Sequence, residues 1–356
     1  MQKVFLCLVG AAVLLGLAQT ATADERVSVL FVGDIMLDGG PGHLVACGKD
    51  PFEHCAALLD DADFTIGNLE CVLGSKGKQL LKSYTFRAAP GSETSLKRYF
   101  SALSLANNHT ADFGSDGFAE SLRLLKEAEI PHFGGGSTLE EARKPLILEK
   151  DGVRIALLGY NGFRAKEYAA TETAAGSAPL YAEMAVADVR RVRESKAADV
   201  IIPFLHWGDE MIAMPDADQR GLARELIDAG ASAVIGSHPH VVQTVDVYRG
   251  RPIVYSLGNF VFDYFPEDPE EWTGWAVRLT FSKGDSTPVD LETFAVTLDS
   301  AGIPRPVDTA SDGPTIPVPP GSSPGAGPAA PAAVSTPAAS TIPRGSAATP
   351  PGKSGD

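Results

Sequence analysis

The chain is short of cysteine, aromatic residues and positive charge. Its 356 residues include 4 Cys, 3 Trp and 8% aromatics, with 30 Lys and Arg against 45 Asp and Glu, a net charge of −15. So few cysteines exclude a disulfide-dense scaffold, and with no C-x-x-C there is no structural zinc site to expect. The deficit of basic residues argues against nucleic acid and anionic membrane surfaces as partners. An anionic substrate stays open, because a bound metal brings its own positive charge. No H-E-x-x-H, no G-x-S-x-G and no glycine loop ending in lysine occurs, which removes zinc proteases, nucleophile-elbow hydrolases and P-loop enzymes. No internal repeat is present.

Long apolar runs are also missing, save one at residues 4–17. It is too short to span a bilayer comfortably. With Lys3 before it and Ala21-Thr22-Ala23 after it, residues 1–23 read as a signal peptide cleaved after Ala23. The expectation is an exported protein, periplasmic or extracellular. Cleavage takes Cys7 and leaves Cys47, Cys55 and Cys71; Cys47 and Cys55 are the plausible bridge, and Cys71 reads as a small buried apolar residue. Residues 24–308 have globular composition and can form one large domain. Residues 309–356 are Pro, Ala, Ser, Thr and Gly without an aromatic, and predict a disordered tail.

Strands and helices alternate through the globular part. Strands are predicted at 27–32, 64–66, 103–106, 153–160, 200–205 and 233–235, with helices at 117–128, 184–197 and 218–229, the last stopped by Gly230. Asp151-Gly152 marks a hairpin turn between 146–149 and 153–160. From 253 onward only strands follow, at 253–257, 276–281 and 291–297. Parallel αβ units with a β-rich end suggest two packed sheets with helices outside. Gly134-Gly135-Gly136 reads as a turn.

What is abundant is ligand chemistry at strand ends. Gly236-Ser237-His238-Pro239-His240 follows the apolar Ala233-Val234-Ile235, and two imidazoles two residues apart on a loop can face one spot. His206 ends 200–205, Asn108 and His109 follow 103–106, Asn68 and Glu70 follow 64–66, and Asp34 follows 27–32. The carboxyl edge of an open α/β sheet is where sites form. This inventory suffices for one or two divalent ions, with mixed N and O donors suited to manganese, iron or zinc. Asp38 could add a ligand or serve a turn. Trp207 and Glu210 line the pocket, with a plain core role open for Trp207. Asn259 fixes a turn beside the site or binds metal, and Asp112 orients His109 or caps the next helix. Arg87 is either an anion-binding cation or part of a structural ion pair. His43, His54 and His132 read as surface residues.

The motifs Val32-Gly33-Asp34, Gly67-Asn68-Leu69-Glu70, Ala106-Asn107-Asn108-His109, Leu205-His206-Trp207-Gly208-Asp209-Glu210, Gly236-Ser237-His238-Pro239-His240 and Ser256-Leu257-Gly258-Asn259-Phe260 stand in this order. The chain thereby resembles the CapA family, capsule or poly-γ-glutamate biosynthesis proteins within the calcineurin-like metallophosphoesterases. The resemblance covers about 27–300 and implies an α/β/β/α four-layer sandwich. It implies Asp34, Asn108, His206, His238 and His240 as metal ligands and His109 as the catalytic contact to phosphate; Glu70 joins the ligands as the nearby carboxylate, and Asp112 joins His109 where it orients that ring. Apart from the resemblance, Asn68, Arg87, Trp207, Glu210 and Asn259 are the candidates to contact substrate. Two positions depart from the superfamily pattern: Met36 stands for a histidine and Asn68 for the bridging aspartate, so that either Glu70 bridges or only one metal binds tightly. The expected substrates are an anionic polymer or a phosphoester, with membrane-bound capsule ligase or export proteins as partners and no nucleic acid. Three functions follow as expectations: capsule or poly-γ-glutamate biosynthesis or export, hydrolysis of an unrelated phosphoester, or a non-catalytic polymer-binding module.

Overall fold

A computed structural model describes residues 25–263 and 272–307. The expected signal peptide, its cleavage point and the expected tail lie outside the described residues.

Alternation of apolar side chains along the first strand, Arg26–Ile35, sets the layering. Val27, Val29 and Phe31 face one way and join Ile155, Leu157, Val200, Ile202 and Phe204 in a core between two sheets. Leu30 and Val32 face the other way, onto Leu96, Leu122 and Leu125 of the helices Ser92–Tyr99 and Gly114–Glu127. The second sheet repeats the pattern, with Ala156, Leu158, Ile201 and Leu205 meeting Val189, Val192, Leu226 and Ile227 of the helices Ala182–Ser195 and Ala217–Ala229. The result is the expected α/β/β/α sandwich: two sheets face to face, each backed by helices.

The first sheet is 8-stranded. Arg26–Ile35 sits centrally, parallel to Phe64–Leu69, which is parallel to Ala102–Ser104, which is parallel to His132–Phe133. On its other side Thr273–Ser282 runs antiparallel, followed by Asp290–Leu298 and Pro304–Pro306. Asn259–Val261 pairs with the end of Arg26–Ile35. The 6-stranded sheet has Val234–Ser237, Val200–His206 and Val153–Asn161 in parallel, with hairpins at both edges. The hairpin Leu146–Lys150 to Val153–Asn161 turns at Asp151 and Gly152, φ +52° and +77°, as the Asp-Gly pair predicts.

Several expectations need correction. Residues 47–55 are not a bridged loop: Gly39–Ala46 is a helix, and Cys47, Cys55 and Cys71 are all free. Cys55 is buried with its thiol on Pro304 O at 3.6 Å, while Cys47 is exposed beside His43 Nε2 at 3.8 Å. Gly135–Gly136 is a short strand paired with Gly176–Ser177 rather than a turn. A Cβ on Gly136 would lie 2.5 Å from Ala142 N, so this close approach is what the glycines permit. The edge strand Val245–Tyr248 and the helix Ser92–Tyr99 were not anticipated from pattern. Among the described residues, no helix is long and apolar enough to cross a membrane.

Candidate metal centre and catalytic pair

Parallel register brings the strand ends together. Asp34 stands opposite Asn68 on one side and Asn259 on the other. The approach of Asn259 needs Gly33, since a Cβ there would fall 1.9 Å from Gly258 O. In the second sheet Ser237 stands opposite His206. The chain then turns through His238 and His240 with φ of +98° and +59°, a region non-glycine residues rarely occupy. Strain of this kind persists where the fold over-determines it, and here it turns two imidazoles inward across Pro239.

The convergent side chains are buried. Asp34 Oδ1 accepts from Asn68 Nδ2 at 2.8 Å, and Asp34 Oδ2 accepts from His238 N at 3.2 Å and lies 3.7 Å from His240 Nδ1. Glu70 Oε2 accepts from the same Asn68 amide at 3.3 Å. Its Oε1 lies 3.6 Å from His206 Nε2 and 4.0 Å from His109 Nε2. His206 Nδ1 meets Ser237 Oγ at 3.1 Å and Nε2 meets Asn108 Oδ1 at 2.7 Å. His240 Nδ1 faces Asn259 Oδ1 at 2.9 Å. His238 packs between Phe163 and His206, ring centroids 4.4 and 4.5 Å away.

Electrostatics follow from that burial. Desolvation raises the pKa of Asp34, and raises that of Glu70 well above the usual carboxylate range, helped by the adjacent Asp34 charge. Desolvation and the neighbouring imidazoles hold His206 and His238 well below the ordinary histidine value. Burial thus favours the neutral form of these imidazoles and the protonated form of the carboxyl pair.

A divalent ion fits this donor set. Glu70 Oε1 and both ring nitrogens of His238 are buried without a hydrogen-bond partner, and such orphaned groups are rare unless something else satisfies them. The ligand atoms of Glu210, His238 and His240 lie within 4.8 Å of one another, and so, as a separate trio, do those of Asp34, Glu70 and His206. Glu210, read from sequence as a substrate contact, thus stands with the imidazoles as a possible ligand. Mixed carboxylate and imidazole donors suit a transition ion.

Beside them lies a dyad. His109 Nδ1 faces Asp112 Oδ2 at 2.7 Å, and burial pushes the imidazole down to about 4 against the raising effect of Asp112. Asp112 also accepts from Phe86 N at 2.7 Å, and the next helix has Phe113 at its N-cap position, so Asp112 serves His109 rather than that helix. Lys82, which no sequence pattern marks, forms an ion pair with Asp112 Oδ1 and donates to Asn108 O at 2.9 Å.

Other sequence candidates have different surroundings. Arg87 donates to Gly74 O and, at 2.9 Å, to Lys76 O, and its guanidinium lies 3.6 Å from the Phe113 ring centroid. Trp207 is in the outer core with Nε1 on Tyr255 O at 2.9 Å. Asp38 caps the helix Gly39–Ala46 and accepts from Arg87 N. Met36 is fully buried in the core, with its sulfur near Asp38 N. His43 and His54 are exposed, and His132 is partly buried in a strand.

The family described as "Bacterial capsule synthesis protein PGA_cap" matches residues 28–264. Capsule biosynthesis protein CapA of Bacillus anthracis is 30% identical over 300 residues, covering 81% of this chain and 71% of that protein. PGA biosynthesis protein CapA of Bacillus subtilis (strain 168) is 34% identical over 247 residues, covering 68% of this chain and 64% of the relative. Among solved structures, calcineurin-like phosphoesterase YfkN from Bacillus subtilis aligns with a TM-score of 0.46 and 15% identity, over 76% of this chain and 90% of that one. The matched segment holds the whole cluster from Asp34 to Asn259, and the chain belongs to the bacterial capsule synthesis protein PGA_cap family.

Proposed function

We propose that this chain is an exported, divalent-metal-dependent protein that handles an anionic polymer in capsule or poly-γ-glutamate biosynthesis or export. The observation that carries the reading is the buried Asp34–Glu70 carboxyl pair beside His238, whose two ring nitrogens lack partners. Two carboxylates out of water are costly unless a cation neutralises them. Manganese, iron or zinc, as one or two ions, suits the donors. Such an ion supplies Lewis acidity toward an anionic oxygen. Asp112 holds His109 through Nδ1 and leaves Nε2, on the Glu70 side, to take or return a proton. The names of the two CapA relatives support the polymer reading, and the leader-like residues 1–23 support action in the periplasm or outside the cell. Membrane-bound capsule ligase or export proteins are the partners this implies.

The test is complementation. The full chain, expressed in a capsule-producing bacterium that lacks its own relative, restores surface polymer, and the His238→Ala, His240→Ala variant does not. A second reading, hydrolysis of an unrelated phosphoester, is favoured by the His109–Asp112 dyad; brisk manganese-dependent turnover of an aryl phosphate without complementation would establish it. Complementation by the double variant would leave a polymer-binding module without metal chemistry.

A further inference from the structure

The orientation of Asn68 is dictated from the backbone. His109 N donates to Asn107 Oδ1 at 3.0 Å, and a backbone N–H can only donate. Asn107 therefore presents Nδ2 on its other side, where it donates to Leu69 O at 2.8 Å and to Asn68 Oδ1 at 3.0 Å. With its oxygen committed there, Asn68 turns Nδ2 into the cluster. That nitrogen lies 2.8 Å from Asp34 Oδ1, 3.3 Å from Glu70 Oε2 and 3.3 Å from His206 Nδ1. These three residues are the buried trio that otherwise offers a metal position. An amide nitrogen with its lone pair delocalised is a donor and not a ligand. The orphaned donors belong elsewhere: Glu70 Oε1 is turned toward His206 Nε2 and His109 Nε2, and His238 has both nitrogens open.

We propose that Asn107 locks Asn68 as a hydrogen-bond donor that substitutes for one cation between Asp34 and Glu70, so that the chain binds a single divalent ion tightly, on the side of Glu70 Oε1 and His238. Asn107 and Asn68 are positioning residues in this arrangement. It rests on the metal-dependent reading above and narrows it to one ion, with the departure from a bridging carboxylate as its cause. Reversing Asn68 would set its amide nitrogen against Asn107 Nδ2 and lose its bonds to Asp34 and Glu70, so the orientation is held by more than one contact.

The experiment is an ion count on the full chain, stripped with chelator and titrated with manganese by calorimetry, then checked by elemental analysis after gel filtration. The wild type should hold one ion, and Asn68→Asp should hold two. Asn107→Asp can only accept from Asn68; it draws the amide nitrogen back, frees the Asn68 oxygen for the cluster, and should admit a second, weaker ion. If Asn107→Asp fails to fold, Asn68→Asp decides alone. Its metal-free form should melt below wild type and recover on adding manganese, as a third clustered carboxyl requires. Two ions on the wild type with dissociation constants within about tenfold of each other would overturn the proposal and leave metal dependence standing. One ion on Asn68→Asp would overturn it as well. No ion on the wild type would remove the metal-dependent reading and this inference with it.

Discussion

His109 Nδ1 and Asp112 Oδ2 are 2.7 Å apart, and the Phe86 ring packs against the imidazole at a tilt of 33°, ring centroids 4.2 Å apart. The pair sets the tautomer, because a carboxylate accepts only a protonated Nδ1, which leaves the Nε2 lone pair toward Glu70. Burial pushes the His109 imidazole down to about 4, which favours its neutral form at neutral pH. Asp112 raises that value, so Asp112→Asn should lower it further. Histidine proton chemical shifts followed against pH would show the midpoint move down; an unchanged midpoint means the contact is not electrostatic. Loss of such a partner typically costs 10–100-fold in activity or affinity. Lys82→Met, acting through Asp112, should cost less.

Glu70 gives a signed pH dependence. Its folded pKa is raised, so its contribution to stability is complete below its unfolded value of about 4.3 and is lost as pH rises through the folded value. Glu70→Gln has no charge to bury. In chelator, the variant should be more stable than wild type at pH 7.5, and the gap should close as pH falls toward 4. Saturating manganese should reverse the order at neutral pH, because only the wild type gains the ligand. Urea midpoints across that pH range measure both halves, and a gap that widens in acid contradicts the assignment.

His238 and His240 should control metal content together. The wild-type chain purified without chelator should carry divalent ion. His238→Ala should lower the content, and the double variant with His240→Ala should bring it near zero. Melting temperature should fall in step, since an ion that binds only the folded state stabilises it by mass action. Elemental analysis that finds unchanged metal in the double variant removes these residues from the site.

Glycine contacts predict where the frame tolerates change. A Cβ on Gly33 would meet Gly258 O at 1.9 Å, and one on Gly236 would meet Tyr255 O at 2.0 Å, both immovable backbone. Either Gly→Ala change should cost about 3 kcal/mol or more in urea unfolding, at the overpacking end of the usual range. Gly221, in the helix Ala217–Ala229, has nothing within 4 Å of its Cβ position. Gly221→Ala should instead gain about 0.5–1 kcal/mol.

The parts of this site legible in sequence are those where apolar strands stop at a polar residue. Asp34, His206 and Ser237 end or nearly end their strands, and Asn108 and His109 follow Ala102–Ser104 closely, because a parallel sheet delivers such residues to one edge. Lys82 was not legible: it sits in an irregular loop and gains its role only when that loop folds against Asp112. Glu210 and Trp207 belong to one motif, yet one reaches the histidines and the other enters the core; no period governs a loop. The helix Gly39–Ala46, rich in glycine, shows no apolar stripe, so it reads as a turn until Asp38 caps it. Cys47 and Cys55 looked bridgeable by spacing alone, and burial of Cys55 against Pro304 separates them.

Asp34 lies between Asn68 and Asn259 in register, so its setting joins residues at both ends of the globular sequence. Contacts of such long separation form late in folding, after loops of great length have closed. The chain through Asn259–Val261 must therefore have emerged before Asp34 has all of its neighbours. An ion offered earlier would meet isolated side chains. The centre proposed here is thus complete only once the strand Asn259–Val261 has paired with Arg26–Ile35.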